Sequence, residues 1–205
     1  LLTDPEEVPR VQARGRALAA LRTTLGAADF LEVETPMLHV VQGGATARPF
    51  RTYSNAHDVP LFLRIAPELY LKRLAAGGIE RLYELNRNFR NEGADATHNP
   101  EFTALEAYQA YADYDTMRDL AQELVVACAV AVLGTTVVER TTDAGSHVRV
   151  DLRDPWPVVT VHEAVARAVG HEVDVRTTAD DLRPLCTKTG VHAPFDATAG
   201  ELVVA

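Results

Sequence analysis

The chain has little cysteine, no excess of positive charge and no long apolar run. Its two cysteines, Cys128 and Cys186, lie far apart and form no C-x-x-C pair, and the seven histidines show no zinc spacing beside them. That argues against a disulfide scaffold and a structural zinc site, and points to a reduced, cytoplasmic setting. Lysine and arginine number 20 against 29 acidic residues, for a formal net charge of −9. This balance is unlike a nucleic-acid-binding surface and suits attraction of a cationic ligand. No run is long enough for a membrane span, and residues 1–10 are too acidic for a signal peptide. Repeats and low-complexity tracts are missing as well. What is present is 205 residues with 47% hydrophobic content, sufficient for a domain with a sizeable core and unlike a disordered chain.

The order of patterns is mixed. Val8, Val11, Leu18, Leu21 and Leu25 form a helical stripe ending near Gly26. A strand is expected over residues 30–33, then loops through Phe50, punctuated by Pro36 and Gly43-Gly44. A short helix over 67–76 closes at Gly77-Gly78, and a long one over 115–133 ends at Gly134. Residues 135–152 read as a hairpin around Asp143-Ala144-Gly145. Thr160 with Glu163 is a capping box opening a helix to Val169. Residues 171–198 are polar and loop-rich, with a helix near 179–188, and residues 200–205 read as the start of an interrupted helix. This is an α+β chain on an antiparallel sheet.

The densest chemistry lies in RNFRNEGADATHNPEFTALEAYQAYADY, residues 87–114. Side chains of a strand alternate between faces. Over residues 82–92 the even positions are Leu82, Glu84, Asn86, Asn88, Arg90 and Glu92, while Tyr83, Leu85 and Phe89 point at a core. A second strand, over residues 101–111, places Phe102, Ala104, Glu106 and Tyr108 on one face. If the polar faces coincide, Arg90 and Glu92 sit opposite Phe102, Glu106 and Tyr108. The loop between carries His98 and Asn99-Pro100. Such a face is ordinarily the solvated side of an antiparallel sheet. Against that, Phe102 and Tyr108 are costly to leave in water, and an arginine among carboxylates suits a charged ligand.

These residues carry a resemblance. FRNEG (residues 89–93), followed by HNPEFT (98–103) and Glu106, resembles the second signature motif of the class II aminoacyl-tRNA synthetases, and LEAYQAYADY (105–114) resembles their lysine branch. FLEVETP (30–36) resembles the first motif, which builds the dimer interface in that family and assigns Pro36 to it. GGATARPF (43–50) and RIAPELYLKRL (64–74) also resemble lysine-branch segments. The close match covers residues 14–134.

The resemblance implies an α+β catalytic domain, an antiparallel sheet flanked by helices, and a role for each residue. Arg90 would grip the ATP α-phosphate and the lysine carboxylate. Glu92 would accept from the adenine amino group, Phe102 would stack on the ring, His98 would reach the γ-phosphate, and Asn99 would belong to the ATP site. Glu106 and Tyr108 would hold the lysine ε-ammonium, with Glu68 and Gly44 at the α-amino group. The same residues have plainer roles too. Glu68 after Pro67 suits a helix N-terminus, Gly43-Gly44 suits a turn, His98 a solvated loop, and Tyr108 a core with its hydroxyl satisfied.

Ala104 stands where the lysine branch often has methionine, leaving looser packing near the nucleotide. The third class II motif, the acidic Mg²⁺ ligands and the anticodon-binding domain are not found. The expectation is therefore a partial catalytic domain over residues 1–205, inactive alone, with Mg²⁺ ligands beyond residue 205. The parent would be a lysine–tRNA ligase using ATP, L-lysine and tRNA(Lys) as a homodimer. Alternatives are the synthetase half of a bifunctional lysyl-phosphatidylglycerol synthase, tethered to the membrane through another half, a paralogue lysylating a protein, or a non-catalytic lysine-binding paralogue.

Overall fold

Two nine-residue stretches of alternating side chains, both free of Gly and Pro, build the centre of the chain's larger part. The computed structural model describes Pro5, residues 7–142 and residues 145–204. The chain divides into two compact units, Leu1–Asp154 and Pro155–Ala205. In chain order the first unit contains α1 (Glu7–Ala27), β1 (Leu31–Glu32), β2 (Leu38–His39), β3 (Arg51–Ser54), β4 (Val59–Leu63), α2 (Glu68–Ala76), β5 (Arg81–Phe89), β6 (Glu101–Gln109), α3 (Tyr114–Leu133), β7 (Val137–Thr141) and β8 (His147–Asp151). The second contains α4 (Val161–Val169), α5 (Ala179–Thr189) and α6 (Ala199–Val203).

β5 and β6 pair antiparallel along their whole length, and β1 joins β5 in parallel, giving the order β1-β5-β6. The odd face is the core expected from the alternation. Tyr83 packs with Leu25, Phe30 and Leu124, bordered by Leu85, Leu105 and Ala107, so α1 and α3 cover that side. The Tyr83 hydroxyl donates to Glu32 at 2.9 Å, and burial, followed by this contact, pushes its pKa up to about 12. Phe89 is only half-buried. The α1 stripe is likewise covered only at its C-terminal end, for Val8 and Val11 are exposed while Leu25 is fully buried.

The even face differs from the solvated surface that its polarity permits. Leu82, Glu84 and Asn88 are buried at 0%, 1% and 2% exposure. α2 packs on β5 and β6. A second sheet, β2-β4-β3, has only β2 in the stretch read from sequence as loop, and Phe89 N–H donates to Arg64 C=O at 3.0 Å to tie the sheet to the end of β5. α3 starts at Asp113, whose side chain accepts from Thr116 N–H, and ends at Gly134 in the left-handed region, φ 73°. β7 and β8 form the expected hairpin; Asp143 and Ala144 of its turn lie outside the described residues.

The second unit is built from three helices, each opened by a threonine capping box: Thr160 with Glu163, Thr178 with Asp181, and Thr198 with Glu201. Val173, Leu182, Cys186, Leu202 and Val203 form its core.

Candidate functional site

The even face of β5 and β6 is the floor of the candidate site, and its rungs run in a fixed order. Leu82 pairs with Tyr108, Glu84 with Glu106, Asn86 with Ala104 and Asn88 with Phe102. This corrects the expected facing of Arg90 and Glu92 on Phe102, Glu106 and Tyr108. The shared face is right, but both residues lie past the last rung. Arg90 N–H donates to Pro100 C=O at 2.8 Å where the hairpin opens into its loop. The floor therefore has two ends, roughly 20 Å apart at about 3.3 Å per residue over the six residues from Leu82 to Asn88.

At the loop end Arg90, Glu92, Gly93, Thr97, His98, Asn99 and Phe102 line one cleft of about 240 Å³. All five residues assigned to ATP are brought together there. The Arg90 guanidinium lies over the Phe102 ring, 5.2 Å from its centroid. Its Nε is buried and has no hydrogen-bond partner among the described residues. A buried, unmatched guanidinium N–H is expensive in a resting protein and useful where an anion binds. Glu92 is exposed, and its Oε1 accepts from Arg48 N–H at 3.2 Å, fixing it against the segment after Gly43-Gly44. His98 meets Asp95 through Nδ1 at 2.9 Å. Backbone donation from Thr97, then the His98 contact, holds the Asp95 carboxyl below its usual range. The loop thus carries its own turn structure.

At the other end Tyr108 donates to Glu106 Oε2 at 3.2 Å. Burial, with smaller contributions from Glu68 and Glu84, raises the Glu106 carboxyl above the ordinary value; burial raises Tyr108 as well, with the Glu106 charge second. Glu68 is the first residue of α2, as helix capping alone would favour, and its carboxylate pairs with Lys72 at 2.6 Å. Gly44 is pressed against it. At φ +87°, a β-carbon on Gly44 would stand 2.9 Å from Glu68 Cβ, so only glycine lets the chain pass here. Glu68, Gly44, Glu106 and Tyr108 therefore gather at one end, and Arg90 stands at the other. Pro36 is exposed, well apart from both in role, with exposed Leu31, Leu38, Val40 and Val41 around it in sequence.

Three residues without an assigned role form a buried polar cluster at this floor. Arg64 and Glu84, each 1% exposed, form an ion pair of 2.6 Å. Thr35 Oγ donates to the second Glu84 oxygen at 2.6 Å, and Arg64 Nε donates to Arg87 C=O at 2.9 Å. The available signal was Arg64 itself, a charge closing the apolar run LFL (residues 61–63), which demands a partner if it is buried. Asn88 Oδ1, buried and unpartnered among the described residues, is another position that alternation alone leaves unmarked.

The sequence model of the class II tRNA synthetases (D, K and N) matches residues 2–195. The chain belongs to that family. Among curated relatives, the lysylphosphatidylglycerol biosynthesis bifunctional protein LysX of Mycolicibacterium vanbaalenii is 50% identical over 202 residues, which is 98% of this chain and 18% of the relative. LysX of Gordonia bronchialis is 46% identical over 204 residues, covering 100% of this chain and 18% of its own. LysX of Mycobacterium tuberculosis strain H37Rv is 49% identical over 211 residues with the same two coverages, 100% and 18%. This class II synthetase segment thus spans 18% of the length of those relatives. Among the described residues no helix is long and apolar enough to cross a membrane.

Proposed function

We propose that this segment binds ATP and L-lysine for lysyl-adenylate formation within a bifunctional lysyl-phosphatidylglycerol synthase. The observation that carries the reading is the polarity of one groove floor, with a cation and an aromatic ring at one end and a desolvated carboxylate at the other. Lysine has the complementary polarity, an anionic carboxylate and a cationic ε-ammonium. The relatives' shared name favours the bifunctional setting over a stand-alone lysine–tRNA ligase, in which the same chemistry would serve tRNA(Lys) alone.

In this reading the lysine carboxylate attacks the α-phosphorus, the bond from that phosphorus to its bridging oxygen breaks, and pyrophosphate leaves. The nucleophile is already ionised at neutral pH, so no general base is needed. The protein contributes position and charge. Arg90 donates to both the carboxylate and the α-phosphate, a task for which a guanidinium fork is shaped. Phe102 and Glu92 receive the adenine, and His98 and Asn99 border the phosphates. Glu106, supported by Tyr108, accepts the ε-ammonium, while Glu68 beside Gly44 takes the α-amino group. Mg²⁺ would neutralise phosphate charge. Among the described residues no group of three or more His, Cys, Asp or Glu could hold a metal. The exposed apolar residues around Pro36 support a homodimer contact, and lysyl-tRNA would be the carrier to the lipid.

The test is amino-acid-dependent ATP–pyrophosphate exchange by the complete polypeptide. Exchange should require lysine, fall at least about a hundredfold in Glu106→Gln, and disappear in Arg90→Ala even at saturating substrates. Unchanged exchange in Glu106→Gln would remove the carboxylate from the lysine site. Labelled lysine recovered in extracted lipid distinguishes the bifunctional setting; label confined to tRNA leaves the ligase reading.

A further inference from the structure

Two carboxylates, Glu84 and Glu106, occupy one cross-strand rung of β5 and β6. Side chains so paired stand about 5 Å apart at Cβ, close enough for like charges to oppose each other. Left to themselves they would share a proton, and the groove would offer one negative charge spread over two competing carboxyl groups. The structure separates their duties. Both oxygens of Glu84 are taken, one by the Arg64 guanidinium and one by the Thr35 hydroxyl, each at 2.6 Å. Among the described residues Glu106 has only the Tyr108 hydroxyl, at 3.2 Å.

We propose that the buried Arg64–Glu84 pair sets the charge at this end of the groove, making Glu106 the single carboxylate available to a monocationic side chain. Arg64 and Glu84 are then positioning and specificity residues that never touch substrate. The proposal rests on the reading of the groove as a lysine and ATP site. The charged groups facing Glu106 come from every surrounding element: Glu84 on β5, Arg64 after β4, Glu68 on α2 and Tyr108 on its own strand. With Arg64 and Glu84 cancelling, and Glu68 assigned to the α-amino group, a charge of about minus one remains for the ligand's side chain. Loss of Glu84 alone frees the Arg64 cation to compete for Glu106. Loss of both restores the count.

The experiment is steady-state ATP–pyrophosphate exchange with L-lysine, comparing the complete polypeptide with Glu84→Gln and Arg64→Gln/Glu84→Gln. Glu84→Gln should raise the lysine KM about tenfold or more and leave the ATP KM within about twofold. Its acidic limb in kcat/KM for lysine should shift to lower pH, since one like charge no longer faces Glu106. The double variant should return the lysine KM to within about threefold of the parent. A purely structural role predicts the opposite, a double variant at least as impaired as the single and an unmoved acidic limb. A lysine KM within twofold of the parent in Glu84→Gln also overturns the proposal. If Glu84→Gln does not fold, the charge-conserving double variant decides alone, with a tenfold rise in its lysine KM overturning the proposal. No lysine-dependent exchange in the parent sinks the functional reading and this inference together, whereas an active parent with an unaffected Glu84→Gln sinks this inference alone.

Discussion

The two units of this chain solve burial in opposite ways. In the first, His39, Arg64, Glu84 and Asn88 are buried, and the ion pair among them lies at the floor of the candidate site. In the second, the buried residues among those described are aliphatic or cysteine, and the charged side chains stay at helix starts and on the surface. Burying charge is poor value as stability and makes sense where a fixed charge pattern is needed. The contrast therefore marks where chemistry is done, independently of any motif. His39 fits the same rule: burial depresses its pKa, its Nε2 meets Pro36 C=O at 2.9 Å, and it packs against Tyr70 of α2 behind the groove.

Breaking the buried pair should have the largest effect. Arg64→Met leaves the buried Glu84 carboxyl without its counter-ion, and should destabilise the first unit by about 3–5 kcal/mol. Arg64→Met/Glu84→Leu should recover most of that loss, measured by urea midpoints; a double variant no better than the single would show that packing, not charge, governs this position. The matching change in the second unit is Leu182→Ala, at a side chain 2% exposed. It should cost about 3 kcal/mol from lost burial and cavity formation. Fluorescence of Trp156, the single tryptophan, follows that unit, and a midpoint unchanged by Leu182→Ala would deny the unit its core. Smaller again is Thr178→Ala, which removes a helix cap and should cost about 1 kcal/mol.

The same contrast explains what could be read from sequence. The second unit's helix starts are local. Thr160 and Glu163 stand three apart and reveal their capping box without any tertiary knowledge, and Gly134 ends α3 as the pattern required. Alternation likewise assigned the even and odd faces of β5 and β6 correctly, as the Tyr83 core and the Glu84–Glu106 rung show. Register was not legible, because the eleven residues between the strands, 90–100, hide how far Arg90 runs past the last rung. Nor was burial of the even face, since its cover comes from α2 and from segments distant in the chain. β4 carries Pro60, a residue that sequence patterns disfavour inside a strand. Pro60 is tolerated because β2 pairs only with Phe62 and Leu63, leaving it on a free edge. Arg64 and Glu84 are twenty residues apart, and no local pattern joins them.

Acid offers the finest test, because one carboxylate in each unit answers it with opposite sign. Asp181 is held below its ordinary value, first by the Thr178 hydroxyl and then by the Thr178 N–H. Its contribution is complete above that ordinary value and is lost as pH falls through the lowered one. Glu106 is raised, chiefly by burial. Ionising it opposes folding, and that opposition disappears as pH falls through the raised value. At neutral pH Thr178→Ala should therefore be less stable than the parent, and Glu106→Gln more stable in the absence of ligand. Both differences should shrink on acidification toward pH 3, read from urea midpoints with hydrogen exchange to separate the units. Saturating lysine should reverse the second sign, since only the ionised carboxylate pairs with an ammonium. A Glu106→Gln protein that is less stable than the parent without ligand would mean that Glu106 already has a cationic partner in the fold, beyond the Tyr108 hydroxyl. The groove would then lack the unmet negative charge that distinguishes it from the rest of the molecule.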